Sequence, residues 1–247
     1  SVGITRPVNQ VARVVGQLSQ LGAEPVLMPT IEILPPDSFD EVDAVLDRLE
    51  EFDWIVFTSV NGVAGLLGRL WDRGDDLRRL TGCRLAAIGP ATAEALAGYR
   101  LRADVVPESF RAEALGEALS ARVEGARVLW ARASRGREVL GELLVEAGAS
   151  FEQVVTYRNE DVIAWPSETL ERLASGMIDW IGLSSPSIAR GVARLAAESG
   201  ASLDSTRLAS ISPVTSQAAR DAGLQVSAEA VNYTWDGLLE AIVAAES

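Results

Sequence analysis

Short apolar runs alternate along the chain with longer stretches in which apolar residues recur every three or four positions. The run from Val2 to Thr5 predicts a strand, and a helical face follows it that ends at Gly22, formed by Val11, Val14, Val15, Leu18 and Leu21. Further strands are predicted at 55–57 and 84–88, and helices after the capping pattern of Ser38 with Glu41 and at Pro90. Short strands separated by helices predict parallel sheets with crossover helices on both faces.

The second half of the chain repeats the first half. Three blocks recur in the same order and at nearly constant spacing, namely 52–59 with 178–185, 21–23 with 147–149, and 85–92 with 208–215. Arg6 corresponds to Arg132 at the same spacing. The repeat therefore indicates a duplicated unit about half the length of the chain, with a simple boundary near Gly125.

Small hydroxyl side chains follow the predicted strands in both copies. They are Thr58, Ser59 and Thr92 in the first copy, and Ser184, Ser185, Ser187 and Thr215 in the second. Ligands of parallel sheets lie at the carboxyl ends of the strands, where helix N-termini favour anions. Helix capping is the simpler interpretation of any one of these residues. Their recurrence at every visible turn nevertheless favours ligand binding for the set, together with Arg6 and Arg132.

Three other features allow more than one interpretation. The glycines from Gly62 to Gly68 lack the spacing of a dinucleotide fingerprint and lie inside a predicted helix, so they predict close helix packing. The arginines at 132, 135 and 137 form either a solvated surface or a cluster that binds anions. Tyr157 ends an apolar run, and the residues alone favour a packed ring over a reactive phenol.

The composition removes several reaction classes. The chain has 247 residues, 35 acidic side chains and 22 basic ones, and its net charge is −13. All basic residues are arginines, so imidazole catalysis, His-ligated metals, Schiff bases and P-loop lysines are excluded. The lone Cys83 cannot form an intrachain disulfide or the usual metal sites. We expect no metal and no cofactor.

Charge and hydropathy also bear on partners and location. An acidic chain is a poor match for nucleic acid or an anionic membrane surface. No apolar run approaches the roughly 18 residues of a membrane span, and the N-terminus shows no leader pattern. We therefore expect a cytoplasmic protein with a small-molecule ligand, no nucleic acid and no membrane.

In their order and spacing, the repeated blocks and the motifs at the strand ends resemble the uroporphyrinogen-III synthase family over essentially the full length of the chain. The pieces that carry the resemblance are Ile4-Thr5-Arg6-Pro7, Phe57-Thr58-Ser59, residues 88–96, Gly148-Ala149 followed by Val155-Thr156-Tyr157, and Ser184-Ser185-Pro186-Ser187. The chain departs from the family at Ser212, where a Gly-Pro pair is commoner; a serine there has less backbone freedom.

The resemblance implies an α/β fold of two flavodoxin-like parallel-sheet lobes, a tandem duplication with exchanged first segments. One lobe would comprise 1–33 with 159–247, and the other 37–155. A two-stranded antiparallel hinge would run through 31–36 and 154–159, where Pro35 and Pro36 disfavour helix. The exchange of segments is implied by the resemblance and not by the repeat.

The resemblance also implies a reaction. Hydroxymethylbilane, a linear tetrapyrrole with eight carboxylates, loses its terminal hydroxyl as water and closes to uroporphyrinogen III with inversion of the last pyrrole, without a cofactor and in a monomer. Tyr157 would hydrogen-bond the leaving hydroxyl, and the substrate would contact Arg6, Thr58, Ser59, Thr92, Arg132, Ser184, Ser185, Ser187 and Thr215. The alternative is a non-enzymatic small-molecule-binding or regulatory protein of the same two-lobed fold.

Overall fold

The computed structural model describes residues 1–246, and this part of the chain forms ten strands and ten α-helices. The strands are β1 Val2–Ile4, β2 Pro25–Leu27, β3 Ile31–Leu34, β4 Trp54–Phe57, β5 Arg84–Ala87, β6 Arg127–Ala133, β7 Ser150–Asp161, β8 Trp180–Leu183, β9 Arg207–Ser210 and β10 Ala228–Glu229. The helices are α1 Ala12–Gln20, α2 Asp40–Asp47, α3 Val60–Asp72, α4 Pro90–Gly98, α5 Ala112–Ser120, α6 Val139–Glu146, α7 Ser167–Ala174, α8 Pro186–Ser199, α9 Pro213–Asp221 and α10 Trp235–Glu246. The predicted α/β class with parallel sheets is confirmed.

Backbone contacts divide the chain into two compact units. The first unit comprises Ser1–Glu32 and the chain from Glu160 onward, and the second comprises Ile33–Asn159. In the first unit the strand order is β10-β9-β8-β1-β2, and all neighbouring pairs are parallel. The carboxyl ends of β1, β8 and β9 therefore lie side by side at one edge of this sheet.

The second sheet has the order β3-β7-β6-β4-β5. Its strands β7, β6, β4 and β5 are parallel to one another. Beyond β5, Val105 adds an isolated parallel bridge to Ala86. The carboxyl ends of four parallel strands consequently share one edge of this sheet too.

Apolar side chains cover both faces of each sheet. In β4, Ile55 and Phe57 pack with α2 and α3, whereas Trp54 and Val56 pack with α5 and α6 on the other face. Strand β8 is buried on both faces in the same way. Strands enclosed by helices on both sides lack an apolar–polar alternation, which explains their continuous apolar sequences. None of the helices within residues 1–246 combines the length and apolar character needed to cross a membrane.

Two local predictions were wrong. The hydroxyl of Ser38 accepts a hydrogen bond from the backbone N–H of Asp40, so it does not form a capping box with Glu41. Leu21 is exposed because α1 ends at Gln20 and Leu21 caps it. Both differences concern helix ends, where one residue decides whether a side chain faces the core.

Candidate functional site

The site residues predicted within the second unit all lie at the carboxyl edge of its sheet. Thr58 and Ser59 follow β4, and Thr92 lies in the first turn of the helix that follows β5. Arg132 and Tyr157 lie close together in register on β6 and β7. Because these strands are adjacent and parallel, all five residues lie at one edge of one sheet.

A β-bulge in β7 determines which way Tyr157 points. Arg132 pairs with Val155, but the next residue, Ala133, pairs with Tyr157, so Thr156 is an extra residue. Side chains alternate along a regular strand, and without the bulge Val155 and Tyr157 would share a face. The bulge places Tyr157 on the face that α3 covers instead.

The phenol of Tyr157 is buried and hydrogen-bonded. Tyr157 is 8% exposed, and its hydroxyl donates to Oγ of Ser59 at 2.8 Å. Burial raises the pKa of Tyr157, and the neighbouring polar side chains, Ser59 first among them, partly oppose that rise. The group is therefore a neutral O–H donor at physiological pH.

Helix α3 approaches the sheet closely at two glycines. A Cβ atom at Gly62 would lie 3.0 Å from the carbonyl oxygen of Ala131, and one at Gly65 would lie 2.6 Å from that of Thr156. Ser59 is the N-cap of this helix, and its Oγ accepts from the backbone N–H of Gly62 at 2.9 Å. Gly62 and Gly65 thus serve close packing, as predicted, and hold Ser59 within reach of the phenol, whereas a Cβ atom at Gly68 would meet no atom within 4 Å.

Thr58 is connected to Arg132 through a tryptophan. Nε1 of Trp130 donates to Oγ1 of Thr58 at 3.0 Å. The guanidinium carbon of Arg132 lies 4.5 Å from the centre of the Trp130 ring, a cation–π contact. Since Oγ1 of Thr58 accepts this bond, its own proton is available to another acceptor at the edge.

Arg132 is buried, and its donors are used within the second unit. Nε donates to the carbonyl of Ala133 at 3.1 Å, one terminal nitrogen bonds the Glu138 carboxylate and Oε1 of Gln153 at 2.8 Å, and the other bonds the carbonyl of Gly136 at 3.3 Å. Arg132 therefore fixes the turn between β6 and α6. Its contact with a ligand stays a prediction.

Helix α4 begins beside an exposed aromatic ring. Its N-cap, Gly89, has no side-chain oxygen, and a Cβ atom there would lie 3.1 Å from Phe110. Phe110 is 59% exposed, whereas Thr92 in the first turn is 4% exposed. The N–H groups at this helix start thus lack a side-chain cap.

Arg6 occupies the edge of the first unit's sheet, directly after β1. The buried Thr5 before it donates to the carbonyl of Gly182 at 2.5 Å and anchors the turn. Arg6 is half-buried and donates to Oε1 of Gln10 at 3.2 Å, and no carboxylate pairs with it in the described part of the chain. Burial lowers the pKa of the Arg6 guanidinium, which stays charged at neutral pH. Such a group is suited to binding a carboxylate.

The serines after β8 surround the start of α8. Ser185 is the N-cap, and its Oγ accepts from the backbone N–H of Ile188 at 3.2 Å. Oγ of Ser187 lies 2.9 Å from that of Ser185, and Ser184 is half-buried at the end of the strand. Helix capping is the observed role of Ser185, and ligand binding by these three serines stays a prediction.

The turn after β9 accommodates serine without strain. The φ angle of Ser212 is −166°, an extended conformation open to any residue. Its Oγ accepts from the N–H of Thr215 at 3.3 Å and lies 3.1 Å from the buried Thr215 hydroxyl. Ser210 bonds Ser216, which donates to the Glu229 carboxylate, so this turn is tied to β10.

The sequence did not single out Asn61, Trp130 or Gln153. Trp130 lies in an apolar run, and Gln153 precedes another, so neither carries a signal of its own. Asn61 stands two places after Ser59, the N-cap of α3, and Ser187 stands two places after the corresponding N-cap in the second copy. A comparison of the two copies could therefore have singled out Asn61. Within residues 1–246, no group of three or more Cys, Asp or Glu side chains is arranged to hold a metal ion.

Comparison with known proteins shows the family and the fold of this chain. The family model described as uroporphyrinogen-III synthase HemD matches residues 12–240. A uroporphyrinogen-III synthase of Synechococcus elongatus is 32% identical over 96% of this chain and 92% of the relative, and one of Chlorobaculum parvum is 29% identical over 92% and 91%. The crystal structure of uroporphyrinogen-III synthetase from Helicobacter pylori, 18% identical, covers 99% of this chain and 98% of that chain with a TM-score of 0.65, which shows a common fold. This chain therefore belongs to the uroporphyrinogen-III synthase family.

Proposed function

We propose that this chain closes hydroxymethylbilane to uroporphyrinogen III, with loss of water and inversion of the last pyrrole ring. Membership of the family supports this reaction. The observation that carries it is the neutral phenol of Tyr157, held by Ser59 at the carboxyl edge of a parallel sheet. Ligands of such sheets bind at that edge.

The role of Tyr157 is to assist departure of the hydroxyl group. Its O–H is engaged by Ser59 in the absence of substrate, and the leaving oxygen replaces Ser59 as acceptor. The C–O electron pair departs with that oxygen as hydroxide, the pyrrole nitrogen supplies electrons to the carbon, and the proton that this nitrogen gives up ends on the hydroxide, so that water and a neutral azafulvene result. The raised pKa of Tyr157 keeps the donor protonated throughout.

The residues at the strand ends bind the acetate and propionate groups. Hydroxyls and backbone N–H groups at helix starts favour anions, and Arg6 adds a charge that no carboxylate of the described chain neutralises. The net charge of −13 repels an octa-anion, so binding depends on these local donors. The proposed set is Arg6, Thr58, Ser59, Thr92, Arg132, Ser184, Ser185, Ser187 and Thr215.

Catalysis on this account is mainly positioning. The electron-rich pyrroles drive ring closure themselves, and the protein folds the chain so that the substituted carbon attacks. Binding many carboxylates at once limits the conformations of a flexible substrate and suppresses the simpler closure.

The proposed architecture is two flavodoxin-like lobes, 1–33 with 159–247 and 37–155, that arose by duplication with exchanged first segments. In chain order the first unit's sheet reads 2-1-3-4-5, the flavodoxin order. The second unit reads 2-1-3-4 over β7-β6-β4-β5 if β6 and β7 are counted first. Residues 31–36 and 154–159 form the antiparallel hinge on this proposal, and the protein works as a cytoplasmic monomer.

The test is incubation with freshly generated hydroxymethylbilane, followed by chromatographic separation of the uroporphyrinogen isomers. The type III isomer is expected. Formation of the type I isomer alone, at the rate seen without protein, would reject the proposal. A protein that only binds the tetrapyrrole would give that same result while still retaining the substrate in equilibrium dialysis.

A further inference from the structure

Packing alone does not explain the tryptophan at position 130. It lies on β6, is 5% exposed, and packs in the core between the sheet and helices α5 and α6. The corresponding residue of the other copy, at the spacing that relates Arg6 to Arg132, is Ile4, which is fully buried. An aliphatic side chain is therefore sufficient for packing at this position, and the indole N–H of Trp130 requires a separate explanation.

The indole N–H bonds the hydroxyl of Thr58, the residue that follows the adjacent strand β4. Nε1 of Trp130 lies 3.0 Å from Oγ1 of Thr58 and donates, since an indole nitrogen does not accept hydrogen bonds. A hydroxyl oxygen has one hydrogen and two lone pairs, and this bond occupies one lone pair. Among residues 1–246, no side chain or carbonyl accepts the hydrogen of Thr58. That hydrogen cannot face the indole, so it is available to an acceptor on a ligand.

The indole ring is held in place by its neighbours. The guanidinium carbon of Arg132 lies 4.5 Å from the centre of the Trp130 ring, and Gln153 at 2.8 Å and two backbone carbonyls hold that guanidinium. Phe151 on β7 adds a tilted ring contact, with the two ring centres 6.1 Å apart. A donor that is fixed before the ligand arrives costs little conformational entropy on binding. The indole therefore gives Thr58 a partner in a fixed position.

The chemistry of Thr58 is suited to a carboxylate of the substrate. This residue is half-buried at the carboxyl edge of a parallel sheet, where ligands of such sheets bind. A carboxylate only accepts hydrogen bonds, so a hydroxyl whose hydrogen is free complements it. Ser184, the counterpart of Thr58 in the other copy, has Ile4 at the place of the tryptophan and receives no such bond. The inference concerns substrate binding and rests on the proposed function.

We propose that Trp130 is a positioning residue for Thr58, whose indole N–H occupies one lone pair of the hydroxyl and leaves its hydrogen for a carboxylate of the linear tetrapyrrole.

The first test observes the bond without any assay of turnover. The six tryptophans give up to six indole signals in a proton–nitrogen correlation spectrum, and the signal lost in Trp130→Phe identifies this one. Thr58→Val keeps the shape of the side chain but removes the acceptor, so the Trp130 signal should move upfield and its proton should exchange faster with solvent. The signal of Trp165, whose indole donates to the carbonyl of Pro29 at 3.2 Å, should stay in place. An unmoved Trp130 signal would overturn the inference.

The second test compares the kinetics of two tryptophan variants. Trp130→Phe keeps an aromatic ring beside Arg132 and removes only the N–H group and part of the ring. It should raise KM about threefold to tenfold and change kcat less than about twofold, because a contact that binds the ground and transition states equally is weakened. Trp165→Phe is the matched control, since Trp165 is 3% exposed and also loses one indole bond, and its KM should stay at the wild-type value. A wild-type KM in Trp130→Phe, or an equal rise in both variants, would contradict the positioning role.

A double-mutant cycle separates this inference from the proposed function. Trp130 acts through the hydroxyl of Thr58, so Trp130→Phe should raise KM no further in a Thr58→Val background. A further rise of the same size would show a role independent of Thr58 and overturn the inference. If the wild-type protein forms no uroporphyrinogen III, the proposed function fails and the inference fails with it. If the wild type forms that isomer while Trp130→Phe keeps the wild-type KM, only the inference about Trp130 fails.

Discussion

Two glycines of α3 give opposite predictions for the same substitution. A Cβ atom at Gly65 would lie 2.6 Å from the carbonyl oxygen of Thr156, whereas a Cβ atom at Gly68 would meet no atom within 4 Å. Both glycines lie inside the helix, so replacement by alanine favours the helical backbone at each site by about 0.5–1 kcal/mol. Packing against the sheet decides the difference between them.

The magnitude at Gly65 follows from the approach distance. An ordinary contact of about 3.4 Å requires the helix and β7 to separate by about 0.8 Å at this point. Overpacking of this kind costs about 1–3 kcal/mol, which exceeds the gain in helix propensity in most of that range. We expect Gly65→Ala to destabilise the protein by up to about 2 kcal/mol and Gly68→Ala to stabilise it by about 0.5–1 kcal/mol.

The same displacement affects the site. Thr156 is the bulge residue beside Tyr157, and Ser59 caps the helix that moves. If the 2.8 Å bond between Tyr157 and Ser59 lengthens by a similar amount, it leaves the range of a hydrogen bond. We expect turnover of Gly65→Ala to fall by about tenfold to a hundredfold, and turnover of Gly68→Ala to stay near wild type.

Urea unfolding followed by circular dichroism and a turnover assay on both variants test this reasoning. The two alanine variants should differ in midpoint in opposite directions from the wild type, with unchanged slopes. Equal stability and equal turnover of the two variants would show that close contact between α3 and β7 does not position the site.

Three further predictions concern the site itself. Tyr157→Phe removes one hydroxyl and should lower turnover, measured by steady-state kinetics, by about a hundredfold or more. Urea unfolding should show that the variant loses about 1 kcal/mol of stability or less. Near-normal turnover would show that the phenol takes no part in the mechanism. Arg6→Gln should raise KM about tenfold with little change in kcat, because it removes a charge that binds a carboxylate equally in the ground and transition states; an unchanged KM would contradict a role for Arg6. Burial raises the pKa of Tyr157, so a pH profile should show no loss of turnover from pH 7 to about 9. The stability that this phenol contributes should be present below about pH 10 and lost as the pH rises through the pKa of the folded state. A fall in turnover that begins near pH 7 would show that the essential proton belongs to another group.

The buried strands and the packing role of Gly62 and Gly65 could be predicted because each has a direct sequence signal. A strand covered on both faces is apolar throughout, as in Trp54–Phe57, and glycines at helical spacing permit close approach. Parallel strands then force the turn residues to one edge, so Thr58 and Ser59 could be assigned to it before any coordinates were known. These predictions depend on local pattern and on topology alone.

The bulge at Thr156 could not be predicted, and with it the direction of Tyr157. A one-residue shift in pairing leaves the apolar run before it unchanged, yet it turns the phenol to the face of Ser59. Arg132 shows a second limit. Its sequence position suggested a solvated or an anion-binding side chain, whereas Glu138 and Gln153 bind its guanidinium within the fold. Side chains that only the tertiary fold brings into contact show no characteristic spacing along the sequence, so their contacts could not be predicted.

The most direct measurement is the initial rate at which each uroporphyrinogen isomer forms from hydroxymethylbilane as the protein concentration is increased. The account predicts that the rate for the ring-inverted isomer rises in proportion to protein, while the share of the symmetric isomer declines. Absence of the inverted isomer at every concentration would contradict it.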